Sequence, residues 1–295
     1  MAIVLVHGPR GAGKTGVAAA IARHLAYSGS AVRLLRCSAD PDDRARADAR
    51  WFAACDFAPG SPSEPVASPT GIAVGTWVVA ECDQVPTDEL ADAIRVLVVR
   101  GEPPSADAAS GQAALVVTAV PAYRLSSLPS DVGGVPLIAI PEDRTLAGFA
   151  IDELQRHLAL RVLVEGELHP DATCDELVIA PIGSDAGQPY LRRFAAPAVV
   201  ARFDRTDMHL AALAADPVCL ILTGGRMPSG YTLDAAQAKG VPVLLAPTDT
   251  ESTIHLLEDV YGDTRFRGER KLERMSALLA AAGLFERLPF PQAVG

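Results

Sequence analysis

The sequence predicts an α/β protein with a doubly wound parallel sheet, followed by a second, smaller α/β domain. Three observations support this prediction. Short apolar runs alternate with helix-compatible stretches along most of the chain. Several of these runs are apolar at nearly every position, which is typical of strands buried on both faces of a parallel sheet. The chain has 295 residues, which is enough for two domains.

The composition is that of a globular protein, with 49% hydrophobic and 21% charged residues. The formal net charge of −10 argues against a broad surface for nucleic acid or for anionic membrane. Apolar runs stay well short of the ~20 residues of a spanning helix, and a strand at residue 2 leaves no room for a signal peptide. The five cysteines are scattered, without a C-x-x-C pair. We therefore expect a cytoplasmic protein.

The first half contains five predicted strands and two predicted helices. Between them lie a densely charged stretch at residues 40–50, without a clear apolar stripe, and two loops at residues 58–69 and 102–111. The predicted strands are Ala2–Val6, Ala31–Cys37, Ile72–Ala80, Ala114–Val120 and Val135–Ile140, and the predicted helices are Gly16–Ser28 and Thr87–Val99.

The second half continues the alternation. Predicted strands are Arg161–Glu165, Leu177–Ile182, Pro197–Arg202, Val218–Thr223 and Pro242–Pro247; predicted helices are Ala147–Leu158, Met208–Ala215, Thr232–Lys239 and Leu272–Leu279. This division predicts a first domain at 1–145, a second at 146–264 and a helical tail at 265–295.

The segment Gly8–Thr15 reads Gly-Pro-Arg-Gly-Ala-Gly-Lys-Thr and fits the P-loop (Walker A) pattern G-x-x-x-x-G-K-[ST]. It lies between a predicted strand and a predicted helix, the context in which backbone N–H groups and a helix N-terminus hold phosphate. A glycine-rich turn that merely begins a helix is the alternative. We expect Lys14 to reach the β- and γ-phosphates and Thr15 to hold Mg²⁺. The expected nucleotide-binding residues are Gly8, Arg10, Gly11, Ala12, Gly13, Lys14, Thr15 and Gly16.

Mg²⁺ bound with a nucleotide takes one or two carboxylates in addition to phosphate oxygens. Glu81 ends an apolar run and is a candidate, because ligands gather at the carboxyl edge of an open sheet. A solvated residue at the end of a strand is the alternative. Spacing alone does not single out any carboxylate among residues 40–50. The chain has no asparagine, so a guanine-reading Asn-Lys-x-Asp motif is impossible and ATP is favoured.

Three polar segments follow predicted strands of the second half. Thr223-Gly224-Gly225 allows either a tight turn or close approach of a ligand to the backbone. Asp204-Arg205 is compatible with a structural ion pair or with a binding site, and Asp249-Thr250 is a similar candidate.

These segments, together with Gly240-Val241-Pro242-Val243, resemble the DRTGG domain, named for its Asp-Arg and Thr-Gly-Gly parts. That domain occurs in the regulatory region of long bacterial phosphate acetyltransferases, behind a P-loop domain similar to dethiobiotin synthetase and cobyrinic acid a,c-diamide synthase. The likeness covers about residues 1–262, and residues 135–144 resemble the segment that joins the two domains. No part of this chain resembles the acetyltransferase domain.

The resemblance implies ATP on Gly8–Thr15 and Mg²⁺ held by Thr15, by Asp48 in Ala-Asp-Ala, and by Glu81. The chain departs from the synthetases where Cys82 replaces the glycine after the strand-ending glutamate, and near Arg36, where a substrate-side lysine is expected. Pro9 stands where partitioning-type relatives have a signature lysine. These departures argue against a dethiobiotin synthetase as such.

Two functions follow from these expectations. The first is an ATP·Mg-binding sensor or regulatory protein, whose DRTGG domain senses or transmits a metabolite signal. The alternative is an ATP-dependent synthetase that activates a carboxylate. Enzymatic ATP hydrolysis, the metabolite, a protein partner and a homo-oligomer are left open by the sequence.

Overall fold

The computed structural model describes residues 2–69, 75–83, 90, 92–167, 172–180 and 189–290. The chain divides into two compact units. The first contains residues 1–143 and 271–295, and the second contains residues 144–270. The predicted domain boundaries remain predictions, but the tail from Lys271 onward groups with the first unit. The amphipathic face of its helix, with Leu272, Met275 and Leu279, is buried there.

The first unit is built on a seven-stranded sheet in the order β2-β3-β1-β4-β5-β7-β6. Its strands are β1 (Ala2–His7), β2 (Val32–Cys37), β3 (Trp77–Cys82), β4 (Ile94–Arg100), β5 (Ala114–Val120), β6 (Asp131–Val132) and β7 (Val135–Pro141). Its helices are α1 (Lys14–Tyr27), α2 (Asp43–Ala53), α3 (Ala106–Ala109) and a 3₁₀ segment (Ala122–Ser127), with two later helices at Glu269–Ala281 and Leu284–Arg287.

Every neighbouring pair in this sheet is parallel except β6 with β7. β1 lies in the middle, between β3 and β4, and its side chains from Val4 to Val6 are fully buried. The all-apolar runs thus form strands covered on both faces, as expected for a parallel sheet. The register places His7 beside Cys82 and beside Leu97, so β1, β3 and β4 end close to one another.

Two expectations for the first unit differ from the structure. Of the predicted helix Thr87–Val99, residues 94–99 belong to strand β4, and residues 87–89 and 91 lie outside the described part of the chain. The apolar spacing of Leu97 with Ile94 suits a helix or a strand, and pairing with β1 and β5 makes this segment a strand. The β-branched Val96, Val98 and Val99 are compatible with it. The predicted strand Ile72–Ala80 is described from Trp77, where β3 begins.

The charged stretch 40–50 contains helix α2, which the sequence did not predict. Its N-cap Asp42 accepts a hydrogen bond of 2.8 Å from the Ala45 N–H. The buried face consists of Ala45, Asp48, Ala49 and Phe52, which follow the helical pattern i, i+3, i+4, i+7. The sequence pattern that indicates this helix is a stripe of alanines interrupted by Asp48. The many charged residues around it made the stripe hard to recognise.

The second unit contains a five-stranded sheet in the order β11-β12-β13-β14-β9. Only the pair of β9 and β14 is antiparallel. A separate two-stranded pair joins β8 and β10. The strands are β8 (Phe149–Ala150), β9 (Arg161–Val164), β10 (Thr173–Cys174), β11 (Glu176–Ile179), β12 (Pro197–Arg202), β13 (Cys219–Thr223) and β14 (Val243–Leu245).

The helices of this unit are α4 (Arg144–Ala147), α5 (Ile151–His157), α6 (Thr206–Leu213), α7 (Gly230–Lys239) and α8 (Thr250–Asp263). The predicted helix Ala147–Leu158 is shorter than expected, because Phe149 and Ala150 pair with β10 before α5 begins. Of the predicted strand Leu177–Ile182, residues 181 and 182 lie outside the described part. The other predicted elements agree with the structure within about three residues at each end. Among the helices of the described residues, none is long and apolar enough to cross a bilayer.

Candidate functional site

The segment Gly8–Thr15, here called the glycine loop, connects β1 to α1 and requires glycine at its first position. Gly8 has φ +142°, and a Cβ there would lie 2.0 Å from the Val98 carbonyl oxygen of β4. Gly11 and Gly13 also have positive φ, at +78° and +90°. The Thr118 hydroxyl of β5 donates a 2.7 Å hydrogen bond to the Ala12 carbonyl. The loop is thereby fixed at the carboxyl edge of the sheet.

Lys14 begins α1 and is 5% exposed. Its Nζ donates to two carbonyls of the loop itself, Gly8 O at 2.8 Å and Pro9 O at 3.3 Å. The same Nζ lies 3.6 Å from Asp83 Oδ1. The amine is therefore placed inside the loop, where a phosphate held by the loop would meet it. Arg10 instead turns outward and pairs with Asp42 at 3.1 Å, both side chains being well exposed.

Arg36 of β2 is surrounded by three carboxylates, Asp48, Glu81 and Asp83, which we call the carboxylate cluster. Arg36 Nε lies 3.8 Å from Glu81 Oε1 and 4.0 Å from Asp48 Oδ2. Arg36 Nη2 donates a 2.6 Å hydrogen bond to Asp83 Oδ1. Arg36, Asp48 and Glu81 are buried, and Asp83 is half-exposed. A single guanidinium thus holds three carboxylates at the edge of the sheet.

Glu81 connects this cluster to the glycine loop. Its carboxylate accepts a side-chain hydrogen bond from Thr15, and its charge interacts with those of Asp48 and Lys14. Thr15, Asp48 and Glu81, taken from three separate parts of the sequence, are therefore neighbours. Of the residues expected to hold Mg²⁺, all three lie at one place.

Burial raises the pKa of Glu81 to about 7, against the opposing effect of Arg36, which lowers it. The nearby Asp48 charge raises this pKa further, whereas Lys14 and Thr15 lower it. Glu81 Oε2 is buried and accepts no hydrogen bond from the residues that the structure describes. A buried carboxylate oxygen without a partner is unfavourable unless a proton or a cation joins it.

We expect the stability of the protein to report on this carboxyl. Since the folded pKa of about 7 exceeds the ordinary 4.5, the folded state binds the extra proton between these values. The stabilisation is complete below about pH 4.5 and is lost as the pH rises through about 7. We compare the unfolding free energies of Glu81→Gln and wild type by urea denaturation without magnesium. The difference between them should shift in favour of the variant by about 2–3 kcal/mol as the pH rises from 5 to 8, because only wild type loses stability over this range. A difference that is constant over this range would contradict the raised pKa.

The residues present fit a nucleotide-bound Mg²⁺. Thr15 offers a hydroxyl, Asp48 and Glu81 offer carboxylates, and phosphates would supply the remaining oxygens. Within the described ranges, no three or more His, Cys, Asp or Glu side chains are arranged to hold a metal by themselves. Nucleotide-bound Mg²⁺ does not need such a set, and the unpartnered Glu81 Oε2 is an oxygen that a cation could take.

The sequence did not predict the roles of three residues of this site. Thr118 bonds to the glycine loop, Asp83 belongs to the carboxylate cluster, and Arg36 lies at the centre of that cluster. Arg36 carried a detectable signal, because an arginine stood near the end of an apolar strand. Thr118 and Asp83 carried none, since their contacts depend on which strands are neighbours.

In the second unit, β13 ends at Thr223, and Gly224 and Gly225 form a bend directly after it. Gly224 N–H donates to Thr248 O at 2.7 Å and Gly225 N–H donates to Ala246 O at 3.0 Å. Both glycines have positive φ, at +100° and +66°. The backbone donors of this bend are thus used by the neighbouring chain segment, which favours the structural alternative for the two glycines.

The other candidates of the second unit lie at the same sheet edge. The Thr223 and Thr250 hydroxyls are 2.7 Å apart. Asp249 caps α8 through a 2.8 Å hydrogen bond from the Ser252 N–H. Asp204 pairs with Arg202 at 2.6 Å, and Arg205 makes two hydrogen bonds to Asp207. The two charged side chains of the Asp-Arg pair therefore contact their sequence neighbours and not the glycine bend.

His209 is a buried residue of this edge that the sequence analysis did not single out. Its Nε2 donates to Arg202 O at 2.8 Å, so its Nδ1 accepts from the Thr232 hydroxyl at 3.1 Å. Burial lowers the pKa of His209, which keeps the ring neutral. Thr232 continues the chain of hydrogen bonds to Ser229 at 3.0 Å. The network ties β12 to the start of α7.

We expect Gly224→Val to destabilise the second unit. A Cβ at this position would lie 2.7 Å from Phe203 Cδ1, and φ +100° is strongly unfavourable for a β-branched residue. The expected loss in unfolding free energy is about 3 kcal/mol, measured by chemical denaturation. Gly230→Val is the control, because a Cβ at Gly230 meets nothing within 4 Å. Equal losses in the two variants would contradict the close approach of Gly224 to Phe203 and its positive φ.

Taken together, the described residues form a mixed α/β protein with two sheets rich in parallel pairs. The model of the DRTGG domain matches residues 153–260, so the second unit contains a DRTGG domain. A solved structure that is similar in part contains the CBS and DRTGG domains of the regulatory region of Clostridium perfringens pyrophosphatase, complexed with its activator diadenosine tetraphosphate. It shares 18% sequence identity over 43% of this chain and 54% of that chain, with a TM-score of 0.34. This chain thus matches about half of the pyrophosphatase fragment.

Proposed function

We propose that the first unit binds ATP·Mg on the glycine loop and that the protein is a nucleotide- and metabolite-sensing regulator. The observation that carries the proposal is the meeting of Thr15, Asp48 and Glu81 beside Lys14. A glycine-rich turn that merely begins a helix does not require the Thr15 hydroxyl to lie next to the carboxylates of Asp48 and Glu81, which are distant in sequence.

The expected binding mode follows from the loop. Backbone N–H groups between Gly11 and Gly16 and the N-terminus of α1 would hold the phosphates. Lys14 would exchange its bonds to the loop carbonyls for bonds to the β- and γ-phosphates. Thr15, Asp48 and Glu81 would hold Mg²⁺, which neutralises phosphate charge when bound.

The sheet order supports a P-loop NTPase fold for this unit. The strand before the glycine loop, β1, has β3 on one side and β4 on the other. From β1 the chain continues to β2 and β3, which both lie on one side of β1. It then crosses to β4 and β5 on the other side, so the strand order reverses next to β1. Ligands of doubly wound sheets bind at such a reversal, outside the carboxyl ends of the strands.

A regulatory role is favoured by the DRTGG domain in residues 153–260. In the family that the chain resembles, this domain belongs to regulatory regions. We propose that it senses a metabolite or transmits the nucleotide state to a partner.

The second candidate function is an ATP-dependent synthetase that activates a carboxylate. It is favoured by Arg36, a buried cation near the position where related synthetases have a substrate-side lysine. Against it stands the occupation of Arg36 by the carboxylate cluster, because an acidic substrate would have to displace Asp83 at 2.6 Å. The regulatory function therefore accounts better for the site.

ATP binding and ATP turnover distinguish the two functions. We expect saturable ATP·Mg binding, weaker binding of GTP·Mg, and negligible ATP hydrolysis with or without a panel of small carboxylic acids. Asp48→Asn should lower the magnesium dependence of ATP binding, whereas Glu102→Gln, at an exposed ion pair with Arg124, should not. Turnover that rises many-fold with one carboxylic acid would establish the synthetase instead.

A further inference from the structure

Asp83 contacts both cations of the candidate nucleotide site. A single oxygen, Oδ1, accepts the 2.6 Å hydrogen bond from Arg36 Nη2 and lies 3.6 Å from Lys14 Nζ. Lys14 is nearly buried, and its hydrogen bonds among the described residues are to the carbonyls of Gly8 and Pro9. An anionic group of the protein itself thus stands next to the amine that would bind phosphate.

We propose that Asp83 is an affinity-determining residue that competes with the β- and γ-phosphates of the nucleotide for Lys14. Arg36 anchors the Asp83 carboxylate, so this internal anion stays at high effective concentration beside the amine. While Lys14 bonds to Gly8, Pro9 and Asp83, its amine is not available to a phosphate. Only the fraction in which Lys14 has turned away binds a polyphosphate, and the apparent affinity falls by that fraction.

The charges of the site oppose a further anion. Lys14 and Arg36 carry two positive charges, against three negative charges when the carboxylate cluster is fully ionised. Without Asp83, the lysine amine would have no carboxylate this close among its described contacts. The contact stabilises the empty loop, and it opposes the approach of phosphate by like-charge repulsion as well as by competition.

The inference rests on the proposed function and makes a selective prediction. Asp83→Asn removes the charge but keeps an oxygen that can accept from Arg36. Its affinity for ATP·Mg and for ADP·Mg should rise about threefold to tenfold over wild type, because a half-exposed ion pair of this kind is weak. AMP, which has no β-phosphate for Lys14, should bind wild type and variant within twofold of each other.

The experiment is isothermal titration calorimetry of the full chain with ATP, ADP and AMP at low salt. Asp43→Asn is the matched control, because Asp43 is almost fully exposed and its one ion pair among the described residues is with Arg46 on the surface. It removes the same charge and should leave ATP affinity unchanged. An affinity gain of Asp83→Asn for ATP and ADP but not for AMP supports the competition. ATP binding by this variant when wild type binds none supports it as well.

The outcomes that oppose the inference are separable from failure of the proposed function. ATP binding to wild type that Asp83→Asn leaves unchanged or weakens overturns the role of Asp83 and leaves the nucleotide site in place. Equal gains for AMP and ATP overturn it too, since they indicate a general charge effect. No binding by wild type or by Asp83→Asn overturns the nucleotide site itself, and the competition with it.

Discussion

Lys14→Ala is expected to abolish the thermal stabilisation that ATP·Mg confers on the protein. The variant removes the only amine placed inside the glycine loop among the described residues, and with it two or three charge-assisted hydrogen bonds to phosphate. The expected loss in ATP affinity is about 100-fold or more, so that at an ATP concentration about 100 times the wild-type Kd nearly all of the ~2.7 kcal/mol of ligand-induced stabilisation is lost. The measurement is the melting temperature with and without ATP·Mg.

The control for this prediction is Lys239→Ala. Lys239 is exposed in the second unit and pairs with Asp216, so its removal should leave the ATP-induced shift as in wild type. Without nucleotide, Lys14→Ala should still fold, because the fold of the unit rests on the sheet, but its melting temperature should be lower than that of wild type, since the bonds to Gly8 O and Pro9 O are lost. An undiminished ATP-induced shift in Lys14→Ala would contradict the proposal that ATP·Mg binds on the glycine loop.

Gly8→Ala is expected to destabilise the first unit severely. A Cβ at this position would lie 2.0 Å from the carbonyl oxygen of Val98, a residue of the central strand β4. The obstacle is backbone and cannot rotate away, so either β1 or β4 must move. Together with φ +142°, this should lower the unfolding free energy by about 4 kcal/mol or more, or prevent folding.

Gly11→Ala is the matched control in the same loop. A Cβ at Gly11 meets nothing within 4 Å, so only the φ of +78° is unfavourable. The expected loss is about 1–2 kcal/mol, measured by urea denaturation. Similar losses for the two variants would show that the first glycine is not in contact with β4.

Strand positions were the most predictable part of the structure, for a physical reason. Strands buried on both faces must be apolar at nearly every position, so β1, β5 and β7 are visible as continuous runs. The glycine loop was equally visible, since its positive φ values require glycine at fixed spacing.

Helix α2 and strand β4 were not predictable in the same way. Apolar residues at a spacing of three occur in both a helix and a strand, and the choice for residues 94–100 depended on pairing with β1 and β5. In α2, the buried face includes Asp48, whose burial depends on Arg36 across the site. Local pattern carries no information about such a distant partner.

For the site, the sequence indicated the residue types but not their charge balance. Thr15 and Glu81 were singled out from position along the chain, and Asp48 only through the resemblance to the synthetases. That Arg36 and Asp83 lie among them follows from the pairing of β2 with β3, which places Arg36 beside Glu81. Strand order is a property of the whole sheet, so these contacts could not be derived from spacing.

The central claim, that the glycine loop holds ATP·Mg, is tested most directly by equilibrium dialysis of the full chain against labelled ATP with magnesium. We expect saturable retention of one ATP per chain, reduced when magnesium is removed with a chelator. No retention of ATP above that of a Lys14→Ala sample, at any magnesium concentration, would contradict it.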